Sequence, residues 1–255
     1  LNKEVVCGDV MYLALEERQN QVLKEYKLLD MDIDRLQLHF GKLGWELVDE
    51  VLEYCIRHDI KLLVIDTMLR WRKKNAQVAD YFETGDWLEP FLEFAHNQKI
   101  SVIASHHSTK GGRFATGYDA IFSLLGSTGI GGSADNVIYI HRSNDGERTY
   151  ETLGRVGDIS QQVFGMDDDT HRLQVIGAKS ELKTQGIKTR VLDVLSECAD
   201  PIKHQDLITE VGGHKQDISV VIKGLRDDGK ITFTGSGKPN DGFIYSPTAE
   251  SSLPQ

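Results

Sequence analysis

The sequence predicts an α/β protein in which a parallel sheet flanked by helices leads into an antiparallel β meander and then a small helical module. In the first half of the chain, short apolar runs alternate with amphipathic helical segments, which is typical of a doubly wound parallel sheet with right-handed crossovers. Short strand-like runs separated by Asp/Gly turns follow, and three helical segments and a hairpin come last. These changes divide the chain into residues 1–181, residues 182–247 and a flexible polar tail of residues 248–255.

The strand that anchors this prediction is the apolar run of residues 62–65, which ends in Asp66 and Thr67. A short run of branched residues without alternation is typical of a strand buried on both faces of a parallel sheet. Ligands bind beyond the carboxyl ends of such strands, where an aspartate can hold Mg²⁺ through water and link it to phosphates. Residues 101–107 repeat the pattern and end in His106 and His107. Two such strands predict a nucleotide site along one edge of the sheet.

The other elements of residues 1–181 follow from the same periodicities. Residues 10–15 form an apolar strand that ends in Glu16 and Glu17, and residues 35–40 alternate as a half-buried strand does. Helices are expected at residues 18–29, 45–56 and 87–98, and the strands of the meander at residues 136–142, 150–155, 161–166 and 171–176.

Residues 182–247 have the element order of a winged helix, a variant of the helix-turn-helix. Helical stripes at residues 187–197, 204–211 and 216–225 are followed by strand-like residues 230–234 and 242–245. Contact with duplex DNA is one expectation, through polar side chains of the third helix and one of the wing, namely Lys215, Gln216, Ser219, Lys223 and Lys238. Because several aspartates lie close by and the module is not net basic, contact with a protein is the other.

Composition and charge narrow the classes of protein that fit. The 255 residues carry a net charge of −10, which argues against broad nonspecific attraction to nucleic acid. The acidity belongs to the first part, since residues 1–181 hold 20 basic and 29 acidic residues whereas residues 182–255 hold 9 and 10. No apolar run is long enough to span a bilayer, and Cys7, Cys55 and Cys198 show no CxxC spacing. We therefore expect a cytoplasmic protein with reduced thiols and no membrane association.

Three short motifs in the first part resemble those of a known family. They are "YLALEE" at residues 12–17, "LLVIDT" at residues 62–67 and "SHHSTKG" at residues 105–111. Over residues 8–178 the chain resembles the RecA-fold ATPases, and in particular the RepA-type hexameric replicative helicases of plasmids and phages, which are related to the DnaB helicases. The resemblance implies a P-loop NTPase core that uses ATP and Mg²⁺.

The resemblance also implies roles for the residues at the strand ends. Glu16 would orient or activate the attacking water, with Glu17 as its neighbour and a weaker candidate. Asp66 would hold the Mg²⁺ water shell, with Thr67 supporting it, and His106 or His107 would sense the γ-phosphate. These residue types suit phosphoryl transfer to water, which needs positioning and charge neutralisation more than covalent chemistry.

A neighbouring subunit usually completes such a site with an arginine, so the resemblance implies a ring of identical subunits. Arg155, in "TLGRVGD", stands where DnaB-like proteins carry this residue, and Arg142 is the second candidate. The relatives have another basic residue two positions earlier, where this chain has Leu153. The alternative for Arg155 is a solvated arginine at a strand end.

The phosphate-binding loop of the family is missing from these residues. The pattern GxxxxGK[ST] is not found, and neither Gly41-Lys42 nor Gly237-Lys238 has the following Ser/Thr or the strand-to-helix setting. In the family this loop precedes the strand equivalent to residues 10–15. We expect that an N-terminal segment carrying the loop is not part of this chain, and the alternative is a relative that has lost nucleotide binding.

Two basic segments are candidates for single-stranded DNA contact in the channel of a ring. The first contains Arg70, Arg72, Lys73 and Lys74 together with Trp71, and the second contains Lys110, Arg113 and Phe114. Cations beside an aromatic ring suit backbone tracking with base stacking. The alternative is that Trp71 packs on the core while the cations face solvent.

These expectations combine into an ATP-dependent DNA motor that moves along single-stranded DNA and unwinds duplex. A second hypothesis is a winged-helix DNA-binding regulator or loader whose RecA-like part is a nucleotide-gated or inactive scaffold. A third is a recombinase-like filament protein. Hydrolysis of ATP together with strand separation on a forked duplex distinguishes the first hypothesis from the second.

Overall fold

The computed structural model describes residues 7–31, 33–71, 81–107, 133–155 and 157–247. The chain forms two compact units, residues 1–176 and residues 177–255, so the boundary lies slightly before the division after residue 181 that the sequence pattern favoured. No helix in the described part of the chain is long and apolar enough to cross a membrane.

Among the described residues of the first unit, four strands form a parallel sheet. Its strands are β1 (Asp9–Ala14), β2 (Leu36–Phe40), β3 (Ile60–Asp66) and β4 (Ser101–Ala104), in the order β2-β1-β3-β4. The prediction of a parallel α/β sheet is therefore confirmed. Because β1, β3 and β4 are direct neighbours running the same way, their carboxyl ends meet at one edge.

Helices α1 (Gln19–Leu28), α2 (Val48–Arg57) and α3 (Tyr81–Gln98) alternate with the strands, and a 3₁₀ turn (Met68–Arg70) follows β3. Helices α2 and α3 pack against one face of this sheet and form a core with it. In α2, Val48, Leu52 and Cys55 recur at helical spacing, and all three are buried. They belong to one cluster with strand residues such as Leu63 and Ile65. Each fully buried side chain of this kind contributes about 1.5–3 kcal/mol.

Strand β3 is not fully buried on both faces, which corrects the sequence interpretation. Leu63 and Ile65 are 0% exposed, whereas Leu62 and Val64 on the opposite face are half-buried. Alternate residues of a strand point to opposite faces, so each face has its own environment. The sequence could not separate the faces because both carry apolar side chains.

The first unit continues with an antiparallel sheet, in agreement with the predicted β meander. Its strands are β5 (Asn136–Arg142), β6 (Arg148–Gly154), β7 (Ile159–Met166) and β8 (Leu173–Ala178), in that spatial order. Strand β8 begins two residues later than the predicted start at residue 171. Asp167 accepts hydrogen bonds from the Thr170 amide at 2.8 Å and the Thr170 hydroxyl at 2.9 Å, and His171 has a positive φ of 54°. The turn therefore extends to His171 before the strand begins.

In its described residues, 177–247, the second unit has three helices and a three-stranded antiparallel sheet. The helices are α4 (Lys179–Glu197), α5 (His204–Val211) and α6 (Lys215–Asp227), and the strands β9 (Ile202–Lys203), β10 (Ile231–Thr234) and β11 (Ile244–Pro247) pair in the order β10-β11-β9. The described core includes Val191, Leu195, Leu207, Ile218 and Ile222. Helix α4 starts eight residues before the predicted residue 187, because its first turns are polar and lack an apolar stripe. Strand β9 was not predicted, since two residues show no periodicity.

Candidate active site at the carboxyl edge of the parallel sheet

Backbone pairing holds the ends of three strands together. Ala14 of β1 lies beside Asp66 of β3 in the register, and the Leu15 amide donates to the Asp66 carbonyl at 2.7 Å. Beyond β4, the Ser105 amide donates to the Ile65 carbonyl at 2.9 Å, and the Met68 amide donates to the Ser105 carbonyl at 3.0 Å. The side chains that follow these strands are thus fixed around one edge of the sheet.

The Glu16 carboxylate lies at the centre of one cluster. The Thr67 hydroxyl donates to its Oε1 at 3.0 Å, and the Arg70 Nε–H donates to the same oxygen at 2.8 Å. His107 Nε2 lies 3.6 Å from Oε2. Partial burial acts to raise the pKa of Glu16, but the hydrogen bonds from Arg70 and Thr67 and the charge of Arg70 outweigh it and hold that pKa below its usual value. Glu16 is therefore an ionised carboxylate at neutral pH.

The Asp66 carboxylate has a separate set of partners. The Tyr12 hydroxyl donates to Oδ2 at 2.8 Å, and the Ser105 hydroxyl donates to Oδ1. Burial and the hydrogen bond to Asp66 raise the pKa of Tyr12, so its hydroxyl stays protonated. The sequence analysis did not identify Tyr12 or Ser105. Tyr12 lies two residues before Ala14, on the face that carries Asp66, but this relation is visible only once the strand pairing is known.

Glu17 lies in more acidic surroundings than Glu16. Burial, followed by the negative charges of Asp66 and Glu25, raises its pKa. The two adjacent glutamates therefore differ in chemistry, because Glu16 has cationic and hydroxyl donors and Glu17 has carboxylate neighbours.

The two histidines also differ in position. His106 Nδ1 lies 3.0 Å from the His107 carbonyl oxygen, which can only accept, so Nδ1 carries the proton when the ring is neutral. Burial lowers the pKa of His106, which keeps the ring neutral, and its Nε2 is buried without a hydrogen-bond partner among the described residues. His107 is exposed and faces Glu16. His107 is therefore the histidine that lies close to the Glu16 carboxylate.

The Asp66 carboxylate suits a metal held through water. Among the described residues, no group of three or more His, Cys, Asp or Glu side chains could hold a metal ion. A carboxylate has about four lone-pair positions, so the two hydroxyl donors leave Asp66 room for a further partner. Mg²⁺ usually keeps several waters and takes its other ligands from substrate phosphates, which fits this arrangement.

The candidate arginines lie at strand ends of the antiparallel sheet. Arg155 follows β6, its backbone amide donates to the Asp135 carbonyl at 2.8 Å, and its guanidinium lies 3.3 Å from the Asp135 carboxylate. The Arg155 side chain is 68% exposed. Arg142 is the last residue of β5, opposite Arg148 in the register. Both are positioned by the sheet and open to solvent.

The structure changes the interpretation of the first basic segment. Trp71 is 0% exposed, packs against Phe91 with ring centroids 5.3 Å apart, and donates its indole N–H to the Gly44 carbonyl at 2.9 Å. The expectation that Trp71 stacks on a DNA base is therefore wrong, and the alternative of core packing holds. Arg70 is exposed but bonded to Glu16. The other predicted DNA contacts of the first unit lie outside the described residues, namely Arg72, Lys73, Lys74, Lys110, Arg113 and Phe114.

The predicted contact residues of the second unit are largely on its surface. Lys215, Gln216 and Lys223 of α6 are exposed, and Ser219 is half-buried. Asp217, which counted against DNA contact, accepts a hydrogen bond from Lys183 at 2.7 Å. The acidic charge on this helix is thereby partly neutralised within the unit.

An aromatic cluster holds the loop between β10 and β11, where Lys238 lies exposed. The Arg226 guanidinium carbon is 5.1 Å from the Phe233 ring centre and 4.9 Å from the Phe243 ring centre. This cation–π arrangement ties α6 to the ends of both strands. The sequence analysis missed it because the three residues are distant along the chain.

No protein-family model matches this chain, and no curated protein matches it either.

Proposed function

We propose that the protein is an ATP-dependent DNA motor of the RepA/DnaB-like replicative helicase type. Its RecA-like core would couple ATP hydrolysis to movement along single-stranded DNA and to duplex unwinding. The observation that carries the proposal is that Glu16 and Asp66 both lie at the carboxyl ends of adjacent parallel strands, each with its own hydrogen-bond donors. A water-directing carboxylate and a metal-supporting carboxylate are two of the protein groups that take part in the hydrolysis of a phosphoanhydride.

Glu16 orients the attacking water and accepts its proton. The carboxylate is ionised and can therefore accept a proton, and the Thr67 hydroxyl limits its rotation. Asp66, held by Tyr12 and Ser105, supports the Mg²⁺ water shell. Bound Mg²⁺ supplies neutralisation of the charge on the phosphate oxygens. His107 would sense the γ-phosphate, and its exposed position beside Glu16 supports this role.

The proposal includes a ring of identical subunits. The exposed guanidinium of Arg155 at the end of β6 is available to a neighbour's phosphate site, where it would stabilise charge on the transferred phosphoryl group. Arg142 is the alternative donor. A site completed by a second subunit makes hydrolysis depend on assembly.

The second unit is proposed as a winged helix. Three helices and a sheet in the order β10-β11-β9 support this topology, with α6 as the recognition helix and the β10–β11 loop as the wing. Its exposed Lys215, Gln216 and Lys223 are suited to a DNA backbone, and a protein partner is the other possibility for this surface.

A regulator or loader with an inactive scaffold is the second candidate. The observation that favours it is the lack of a GxxxxGK[ST] pattern in the 255 residues. Under this alternative the second unit would bind DNA or a protein without ATP turnover.

The test uses the complete gene product and its Glu16→Gln variant. We expect the wild-type protein to hydrolyse ATP and separate a forked duplex, and we expect Glu16→Gln to lose turnover while still binding ATP. The amide cannot accept the proton of the attacking water but keeps the shape of the side chain. Unchanged turnover in the variant would refute the role of Glu16, and DNA binding without any ATP hydrolysis by the wild type would favour the regulator.

A further inference from the structure

Arg70 connects the proposed hydrolysis site to the protein surface. Its Nε–H donates to Glu16 Oε1 at 2.8 Å, although the two residues are far apart in the chain. The same oxygen also accepts the Thr67 hydroxyl at 3.0 Å. Glu16 Oε1 is therefore occupied by two donors, one of them cationic.

The backbone around Arg70 is fixed while its guanidinium is accessible. The Arg70 amide donates to the Thr67 carbonyl at 3.0 Å, and Trp71, the next residue, is completely buried and bonded to the Gly44 carbonyl. The Arg70 side chain is 61% exposed, whereas Glu16 is 27% exposed. A competing anion can thus reach the guanidinium without moving the chain at Arg70.

The contact with Arg70 makes Glu16 a poorer acceptor for a proton from water. A cation bonded to a carboxylate lowers its affinity for a proton, and Arg70 is the main group that depresses the pKa of Glu16. A weaker base that is turned toward Thr67 and Arg70 is less able to accept a proton from water. Loss of Arg70 would leave the Thr67 bond, so Glu16 would stay oriented but become more basic.

A phosphate group is a stronger partner for Arg70 than this exposed carboxylate contact. An exposed ion pair contributes little because water and salt screen it. Arginine has five N–H donors in a planar fork and binds phosphate oxygens through two of them at once. Three further cations, Arg72, Lys73 and Lys74, follow Arg70 in the sequence and raise the local attraction for a polyanion.

Together these observations lead us to propose that Arg70 is a positioning residue that restrains Glu16. The restraint ends when a phosphate of single-stranded DNA binds the Arg70 guanidinium in place of Glu16. The inference rests on the proposed ATPase function, and it gives that function a regulatory link to DNA. In the absence of DNA, Arg70 keeps Glu16 in a resting contact. When DNA binds, Glu16 is free to act on water, so hydrolysis rises with DNA occupancy.

Steady-state hydrolysis by the complete gene product tests the link. For Arg70→Ala we expect the rate without DNA to rise about two- to fivefold, which corresponds to loss of one exposed ion pair. The ratio of rates with and without a thymidine oligonucleotide should fall by the same factor. The acid limb of the pH–rate profile should move to higher pH, because Glu16 loses the cation that depresses its pKa. Arg57→Ala, which removes an exposed arginine at the end of α2, is the matched control and should change none of these.

The outcomes separate this inference from the proposed function. If the wild type is stimulated by DNA and Arg70→Ala shows the same basal rate, the same stimulation and the same pH profile, the restraint by Arg70 is disproved while the motor stands. If the wild type hydrolyses no ATP under any condition, the proposed function fails and the inference with it.

A second measurement needs no turnover. The ¹⁵N-bonded Nε proton of Arg70, assigned by its loss in Arg70→Lys, reports the contact in an NMR spectrum of this chain. We expect Glu16→Gln and saturating oligonucleotide each to shift it. A resonance that stays unchanged at saturating oligonucleotide would overturn the inference.

Discussion

Removal of the hydrogen bond from Tyr12 to Asp66 tests directly how the carboxylate proposed to support Mg²⁺ is held in place. Tyr12→Phe removes the hydroxyl that donates to Asp66 Oδ2 at 2.8 Å and leaves the ring, which packs against Tyr26 with centroids 6.2 Å apart. The Ser105 hydroxyl continues to hold Oδ1. The substitution therefore removes the hydrogen bond and leaves the packing of the ring unchanged.

The expected cost follows from the charge and burial of the pair. A hydrogen bond to a charged group contributes about 1.5–3 kcal/mol, and because Tyr12 and Asp66 are only half-buried we expect about 1.5 kcal/mol. Asp66 would also lose one of the two donors that fix its orientation. In the complete gene product, the Mg²⁺ concentration for half-maximal hydrolysis should rise by up to about tenfold.

Urea unfolding followed by tryptophan fluorescence measures the stability change on this chain. All three tryptophans, Trp45, Trp71 and Trp87, belong to residues 1–176, so the signal reports the first unit. The midpoint should fall with an unchanged m value. Tyr26→Phe is the control, because it makes the same chemical change on the neighbouring ring and leaves both hydroxyl bonds to Asp66 intact. Equal midpoints for Tyr12→Phe and the wild type would refute the reasoning.

Two further predictions concern the buried tryptophan and the second unit. Trp71→Ala should destabilise the first unit by about 3–5 kcal/mol because it empties a fully buried site, whereas Trp71→Phe should cost less since a ring remains against Phe91. Circular dichroism during urea unfolding measures the loss of stability in both variants. Similar losses in the two variants would contradict the packing role of Trp71. Lys215→Ala and Lys223→Ala should each weaken duplex binding and lower the salt dependence by about one counterion, and Lys203→Ala on β9 is the control. Wild-type affinity in both lysine variants would argue for a protein partner instead.

The strand ends of the candidate site were predictable because their signal is local. Asp66 and Glu16 each follow a short apolar run, and parallel pairing brings the carboxyl ends of neighbouring strands to one edge. The same local logic placed β5 at residues 136–142 and α5 at residues 204–211 without error. It failed for β9, where two residues pair with β11 only because the second unit is folded.

The sequence by itself determined which residue types lie at the strand ends, since apolar periodicity fixes where strands stop. Only the tertiary structure decided how those residues are partnered. It placed Tyr12 and Ser105 on Asp66, His107 rather than His106 beside Glu16, and Arg70 on the Glu16 carboxylate. It also moved Trp71 from a surface segment into the core. The physical reason is that hydrogen-bond geometry and burial depend on strand register and on packing between distant segments, and neither is encoded in the local pattern of a single strand.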